Sequence, residues 1–126
     1  MSQSTPRRLR GIVLFAHGSR DPLWHKPVEA VADAVRHKEP GALVACAYLE
    51  WSTPTLEQAC QSLIAQGAQE ISILPLFLGV GKHARQDLPE LVAQMTARWP
   101  NIAFQLQAAV GENARLVALL ADIALE

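Results

Sequence analysis

Along the chain, short apolar runs alternate with longer stretches whose apolar residues recur every three or four positions. "GIVLFAH" (11–17) is continuous and rich in β-branched residues, the pattern of a strand buried on both faces. From about Trp24 to Lys38, Val28, Val31, Ala32 and Val35 make an i, i+3, i+4, i+7 stripe, which predicts a helix. Pro27 suits its first turn, and Glu39-Pro40-Gly41 stops it. "ALVACAYLE" (42–50) predicts the second strand. Thr53 then offers an N-cap and Pro54 a first helical residue. The stripe Leu56, Ala59, Cys60, Leu63, Ile64 follows, with Gly67 placed to end that helix.

"ISILPLFL" (71–78) predicts a third strand, with Pro75 an awkward member. A helix over about Asp87 to Arg98 has Asp87 and Glu90 at capping-box spacing and Leu88, Leu91, Val92 and Met95 facing inward. "IAFQLQAAV" (102–110) predicts a fourth strand, partly alternating and so nearer an edge. Glu112 to Leu125 closes the pattern as a helix with Leu116, Leu119, Leu120 and Ile123 expected inside. Four β–α units in this order imply an α/β domain with a mainly parallel sheet flanked by helices. Residues 1–9 are expected to form a loose tail and 10–126 a single domain.

Composition adds limits. Of 126 residues half are hydrophobic and 18% charged, enough for a core and too apolar for disorder. A net charge of -1 gives no global field for nucleic acid or an anionic membrane, so a basic site must be local. No run is long enough to span a membrane, and a cytoplasmic location is expected. Cys46 and Cys60 are read as small buried residues in a reducing compartment.

In sheets of this kind ligands bind beyond the carboxyl ends of the strands. Those positions hold His17-Gly18-Ser19-Arg20-Asp21, Glu50-Trp51-Ser52, Gly79 to Arg85, and Gly111-Glu112-Asn113. Gly81-Lys82 invites a phosphate-loop reading. The spacing refuses it, because a glycine would be needed at Leu76 and a Ser or Thr at His83. Gly79 and Gly81 fit a backbone that turns and approaches a ligand. His17 and His83 can ligate a divalent metal or accept a proton, and Glu50 can do either. His25 and His37 are read as solvated helix residues. Ser19 either holds a ligand oxygen or makes a turn hydrogen bond. Arg20, Lys26, Lys82 and Arg85 gather at the same edge, as an anion-binding rim or as a solvated one.

"FAHGSRDPLW", "AYLEWSTPTLEQA", "ILPLFLGVGKHARQDLP" and "GENARLV" together resemble the short, single-domain sirohydrochlorin chelatases of the CbiX/SirB type, which belong to the class II chelatases. The resemblance spans roughly residues 11 to 120. It implies a chelatase-like three-layer fold with sheet order 2-1-3-4, which would set the two histidines beside the switch point between strands 1 and 3. It implies His17, His83 and Glu50 as metal-site and catalytic residues. Ser19, Arg20, Gly79, Gly81, Lys82 and Arg85 would then border an anionic tetrapyrrole. The expected activity is insertion of cobalt, iron or nickel, as the divalent ion, into sirohydrochlorin for cobalamin or siroheme synthesis. The metal would be a substrate, with no organic cofactor. Short members can pair two copies, so a homodimer is expected, with neither nucleic acid nor membrane as partner. A metal or tetrapyrrole carrier on the same fold is the alternative. An anion- or nucleotide-binding flavodoxin-like domain is a third reading, disfavoured by the failed phosphate motif.

Overall fold

The computed structural model describes residues 9–126, so the expected tail falls almost wholly outside the described residues. Four strands, β1 (Arg10–Ala16), β2 (Leu43–Tyr48), β3 (Glu70–Pro75) and β4 (Ala103–Leu106), form one parallel sheet in the order β2-β1-β3-β4. The crossovers carry α1 (His25–Lys38), α2 (Leu56–Ala65) and α3 (Lys82–Arg98), and α4 (Ala114–Ala124) follows β4.

Alternate residues of the central strands feed two separate cores. Val13 and Phe15 of β1 and Ile71 and Ile73 of β3 pack with Leu56, Leu63, Leu88 and Met95 of α2 and α3. Leu14 of β1 and Val44 and Tyr48 of β2 pack with Val28 and Ala32 of α1 on the opposite face. Both faces of β1 are therefore apolar, which is why its sequence shows no alternation.

Several elements depart from expectation. The cap of α2 is Thr55, not Thr53: its hydroxyl accepts from the Gln58 N–H at 3.2 Å, and the Gln58 side chain accepts from the Thr55 N–H at 2.9 Å. Residues 53 and 54 stay in the preceding loop. Gly67 does close this helix, at φ 104°. Pro75 ends β3, opposite Phe15, so the strand stops where a ladder donor is missing. The most consequential shift is at α3. It starts at Lys82, five residues before Asp87, with Gly81 in an extended conformation at its N-cap, and Pro89 lies inside it. Pro89 withholds one N–H from the carbonyl of Arg85, a local loss that the inward packing of Leu88 and Met95 offsets.

At the C-terminal end the structure overturns the packing prediction. β4 covers four residues, and Val110–Glu112 form a 3₁₀ turn. Asn113 caps α4, accepting from the Arg115 N–H at 2.9 Å. The helix is amphipathic as read, yet none of its residues is buried. Leu119, Leu120 and Ile123 remain 54%, 41% and 52% exposed, and Leu116 is only half-buried.

Candidate functional site at the carboxyl edge of the sheet

β1 and β2 end side by side, and their ladder continues into the loops beyond them. The Leu49 N–H donates to the Ala16 carbonyl at 2.9 Å, and the Glu50 N–H donates to the His17 carbonyl at 3.0 Å. The loop bearing His17 is thus tied through main chain to the loop bearing Glu50. Gly18 permits the approach. Its φ is 92°, and a Cβ there would collide with the Glu50 carbonyl oxygen. Trp51 continues the turn with a φ of 67°.

Ser52 fastens the two loops from the other side. Its hydroxyl donates to the Ser19 carbonyl at 2.6 Å and accepts from the Ser19 N–H at 3.2 Å. His25 Nε2 lies 3.0 Å from the same oxygen. With the hydroxyl proton directed at Ser19, that contact requires His25 Nε2 to be the donor. The His25 ring also stacks on Tyr48, centroids 4.3 Å apart and planes 17° apart. His25 is therefore not the solvated residue expected from its helical position. It is half-buried and braces the loops, whereas His37 is exposed as read. Ser19 takes the turn role: its hydroxyl accepts from the Asp21 N–H at 3.0 Å.

His17 stands exposed at the end of β1, its ring against Phe77 with centroids 4.2 Å apart. Glu50 is exposed on the neighbouring loop. His83 is exposed on the first turn of α3 rather than on a loop, and Lys82 and Arg85 share that turn. A side chain added at Gly79 or Gly81 would meet nothing within 4 Å among the described residues. The guanidinium of Arg20 lies 4.1 Å from the centroid of the Trp51 ring, a cation–π contact that holds both side chains at the rim. Among the described residues, the ion pairs are Arg36 with Asp33 and Arg98 with Glu57. Arg20, Lys82 and Arg85 are therefore not held by carboxylates.

His17, Glu50 and His83 occupy one edge, but they do not close into a cage. Among the described residues, no group of three or more His, Cys, Asp or Glu side chains is arranged to hold a metal ion. A hollow of about 390 Å³ opens beside His17, walled by Ala16, Trp24, Pro27, Val28, Val31 and Leu76. Trp24 is 69% exposed at its mouth. The larger hollow, about 540 Å³, runs between α1 and α2 along the outer edge of β2 and is lined by none of the three. Tyr48 borders both. Its hydroxyl is buried with no hydrogen-bond partner among the described residues, and burial pushes its ionisation up to about 12. Cys60 is fully buried and Cys46 half-buried, and burial raises both thiols.

Two residues escaped the sequence reading. Ser52 stood among the strand-end residues but carried no assigned role. His25 was discounted because one histidine in a helical pattern has no signal of its own. Its position in the first turn, nearest the carboxyl edge, was the available clue.

The chain has relatives among known proteins. A sirohydrochlorin cobaltochelatase from Methanococcus aeolicus is 34% identical over 84 residues, 67% of this chain and 59% of that protein. A sirohydrochlorin ferrochelatase from Priestia megaterium is 28% identical over 111 residues, 88% of this chain and 42% of that one. The chain thus spans about three fifths of the cobaltochelatases it matches, and less of the ferrochelatase. Among solved structures, a cobalamin biosynthesis CbiX protein from Marinobacter aquaeolei superposes with a TM-score of 0.79 at 29% identity, covering 91% of this chain and 93% of that one. The sirohydrochlorin chelatase SirB from Bacillus subtilis, in complex with cobalt, gives 0.76 at 26% identity over 90% of this chain and 48% of its own. The fold and sheet order are those of the chelatases. The CbiX family model matches residues 11–126, from the first buried strand through the exposed last helix, and the chain belongs to the CbiX family.

Proposed function

We propose that this protein is a sirohydrochlorin metal chelatase that inserts a divalent cobalt or iron ion into the tetrapyrrole and works as a homodimer. The observation that supports the reading is the coupled pair of strand-end loops, which ties the loop of His17 to that of Glu50 at the carboxyl edge, with His83 on the first turn of α3. The names of the cobalto- and ferrochelatase relatives support the reaction class.

Insertion breaks two pyrrole N–H bonds, forms bonds from the metal to the four ring nitrogens, and releases two protons. Neutral imidazole on His17 and His83 can hold the incoming ion and then accept those protons, with Glu50 as an auxiliary ligand or base. A donor site must let its metal go. Three loosely disposed ligands meet that demand better than a closed tetrahedral set, which would retain the ion. Arg20, Lys82 and Arg85 would face the macrocycle's carboxylates, while Ser19, Gly79 and Gly81 shape the approach. Imidazole and carboxylate accept nickel as readily as cobalt or iron. The reaction as written calls for no organic cofactor, nucleic acid or membrane. The reading includes a cytoplasmic location; no helix among the described residues is long and apolar enough to cross a membrane.

The carrier alternative makes one different prediction. An enzyme given sirohydrochlorin and excess metal converts the absorption spectrum to that of the metallated ring at catalytic protein concentration. A carrier changes it only in proportion to the protein added. His17→Ala and His83→Ala should each slow turnover at least tenfold with unchanged folding. A folded double variant that inserts metal at the wild-type rate rules out the assignment.

A further inference from the structure

Among the described residues, Trp51 is the one other than glycine with a positive φ, at 67°. Bulky side chains crowd the backbone there, and glycine or asparagine is the ordinary occupant. The cause lies on either side of it. The Glu50 N–H is fixed to the His17 carbonyl, and the Ser52 hydroxyl is fixed to both main-chain groups of Ser19. The residue between these two anchors must turn back sharply. Folding does not call for an indole at that point, because Trp51 packs with neither core and is 60% exposed.

What the indole does hold is Arg20. The guanidinium lies 4.1 Å from the ring centroid, and no carboxylate pairs with it among the described residues. The two side chains wall a hollow of about 360 Å³ between the loops that follow β1 and β2, with Ser19, His25 and Ser52 around it. Among the described residues, no acidic side chain lines this hollow. The larger hollow along the edge of β2, which shares His25 and Thr53 with it, differs in that Glu29 and Asp33 border it beside Arg36. An unpaired guanidinium over a hollow without negative charge is a receptor for an anion. Arginine suits a planar one, because its fork can make two parallel N–H···O bonds to a carboxylate.

We propose that Arg20 and Trp51 form a carboxylate subsite, in which Arg20 grips one peripheral acid group of the ligand and Trp51 is the positioning residue that stations the guanidinium. The backbone strain at Trp51 is then kept for the ligand and not for the fold. The subsite rests on the chelatase reading for the identity of that ligand, and it adds a consequence. β1 ends between β2 and β3, so a macrocycle over His17 would set one edge at Arg20 and the opposite edge at Lys82 and Arg85 on α3. The two edges are not equivalent. One cation is held on an aromatic face between clamped loops, and the other two stand on an exposed helical turn. Such asymmetry selects one orientation of a ring whose acid side chains differ in length.

Metal-free sirohydrochlorin, titrated anaerobically and followed by its own fluorescence, reports binding without insertion. Arg20→Gln and Trp51→Ala should each raise the dissociation constant roughly tenfold, and the double variant should be no weaker than Arg20→Gln alone, because the two act as one unit. Additive losses, or either single variant binding as the wild type does, overturn the subsite. Trp51→Tyr keeps a ring face for the guanidinium and should bind within about threefold of wild type; a loss as large as that of Trp51→Ala overturns the positioning role. Trp51→Gly removes the strain, so its urea midpoint should rise or stay within about 0.5 M of wild type while its affinity falls. A midpoint lowered further would make the indole a member of the fold and overturn the argument. Displacement of the macrocycle by micromolar inorganic phosphate would make the hollow a free-anion site and overturn it as well. A wild type that binds no sirohydrochlorin overturns the chelatase reading together with the subsite, whereas a wild type that binds it beside unchanged variants overturns the subsite alone.

Discussion

Gly18→Ala tests whether the site depends on the approach of the two loops. The substitution acts in two ways. An alanine at φ 92° sits outside the regions open to L-residues, at a cost of about 1–2 kcal/mol. Its Cβ would also collide with the Glu50 carbonyl oxygen and lie 3.1 Å from the Tyr48 Cβ. The loops must then separate by about 1 Å to restore ordinary contact. That opening stretches the 3.0 Å bond from the Glu50 N–H to the His17 carbonyl beyond useful length, with a net loss of about 1 kcal/mol. The combined expectation is a destabilisation of roughly 2–3 kcal/mol. In urea unfolding this appears as a midpoint lowered by about 1–2 M at unchanged slope, given slopes of about 1–3 kcal/mol/M for small proteins.

Gly79→Ala is the matched control. It meets nothing within 4 Å, and it should be neutral or stabilising by up to about 1 kcal/mol through the unfolded chain. The two variants share a chemical change and an edge of the sheet, so only the conformation and the neighbouring carbonyl separate them. A Gly18→Ala protein within about 0.5 kcal/mol of wild type would show that the loops do not rely on this approach, and the geometric account of the site would fail.

Ser52→Ala removes a hydroxyl that joins Ser19 and His25, and it should cost about 1–2 kcal/mol in urea unfolding; a loss of less than 0.3 kcal/mol would show that the clamp carries no stability. In a double-mutant cycle, His25→Ala and Ser52→Ala should fall short of additivity by at least about 0.5 kcal/mol, because they break one network. Burial pushes the Cys60 thiol up to about 12, so the unfolded chain ionises first as pH rises past 9 and stability drains away between those values, by roughly 2 kcal/mol at pH 10.5. Urea melts of Cys60→Ala should lose correspondingly less over that window, and equal losses would contradict the burial argument.

The strands were legible because burial on both faces leaves a continuous apolar run, and β1 shows it from Gly11 to Ala16. Helix starts did not follow the caps closely: α1 was read to within a residue although Trp24 gives it no side-chain cap, Thr55 caps α2 two residues after the expected Thr53, and Gly81 caps α3 with backbone alone, so that Asp87 six residues later imitated the missing signal. The stripe on α4 was read correctly as an apolar face. Periodicity says that such a face needs cover and is silent about which surface supplies it. His17, Glu50 and His83 were singled out because topology sends strand ends to one edge. The His25–Ser52–Ser19 network was not, because its members lie 27 and 33 residues apart and meet only when two loops close on each other.

The candidate ligands are not held alike. His17 and Glu50 sit on segments locked by main-chain bonds, by the Gly18 approach and by the Ser52 clamp. His83 rides on the first turn of a helix whose N-cap offers no side chain, after a Gly79–Gly81 segment with open space around it. One part of the site is therefore clamped loop to loop, while the Gly79–Gly81 segment leading to His83 is joined to no second loop by such a clamp among the described residues. A storage site would be better served by clamping all its ligands, since preorganisation strengthens binding. A site that must first take an ion from water and then surrender it to a macrocycle needs one fixed reference and one ligand able to withdraw. The absence of a gathered three-ligand cluster among the described residues fits that division, as does the exposure of all three side chains. Stiffening the His83 side should accordingly tighten metal binding while slowing release: Gly79→Pro/Gly81→Ala is expected to lower the metal dissociation constant and the insertion rate together. A variant that bound metal more tightly and inserted it faster would refute this division of labour.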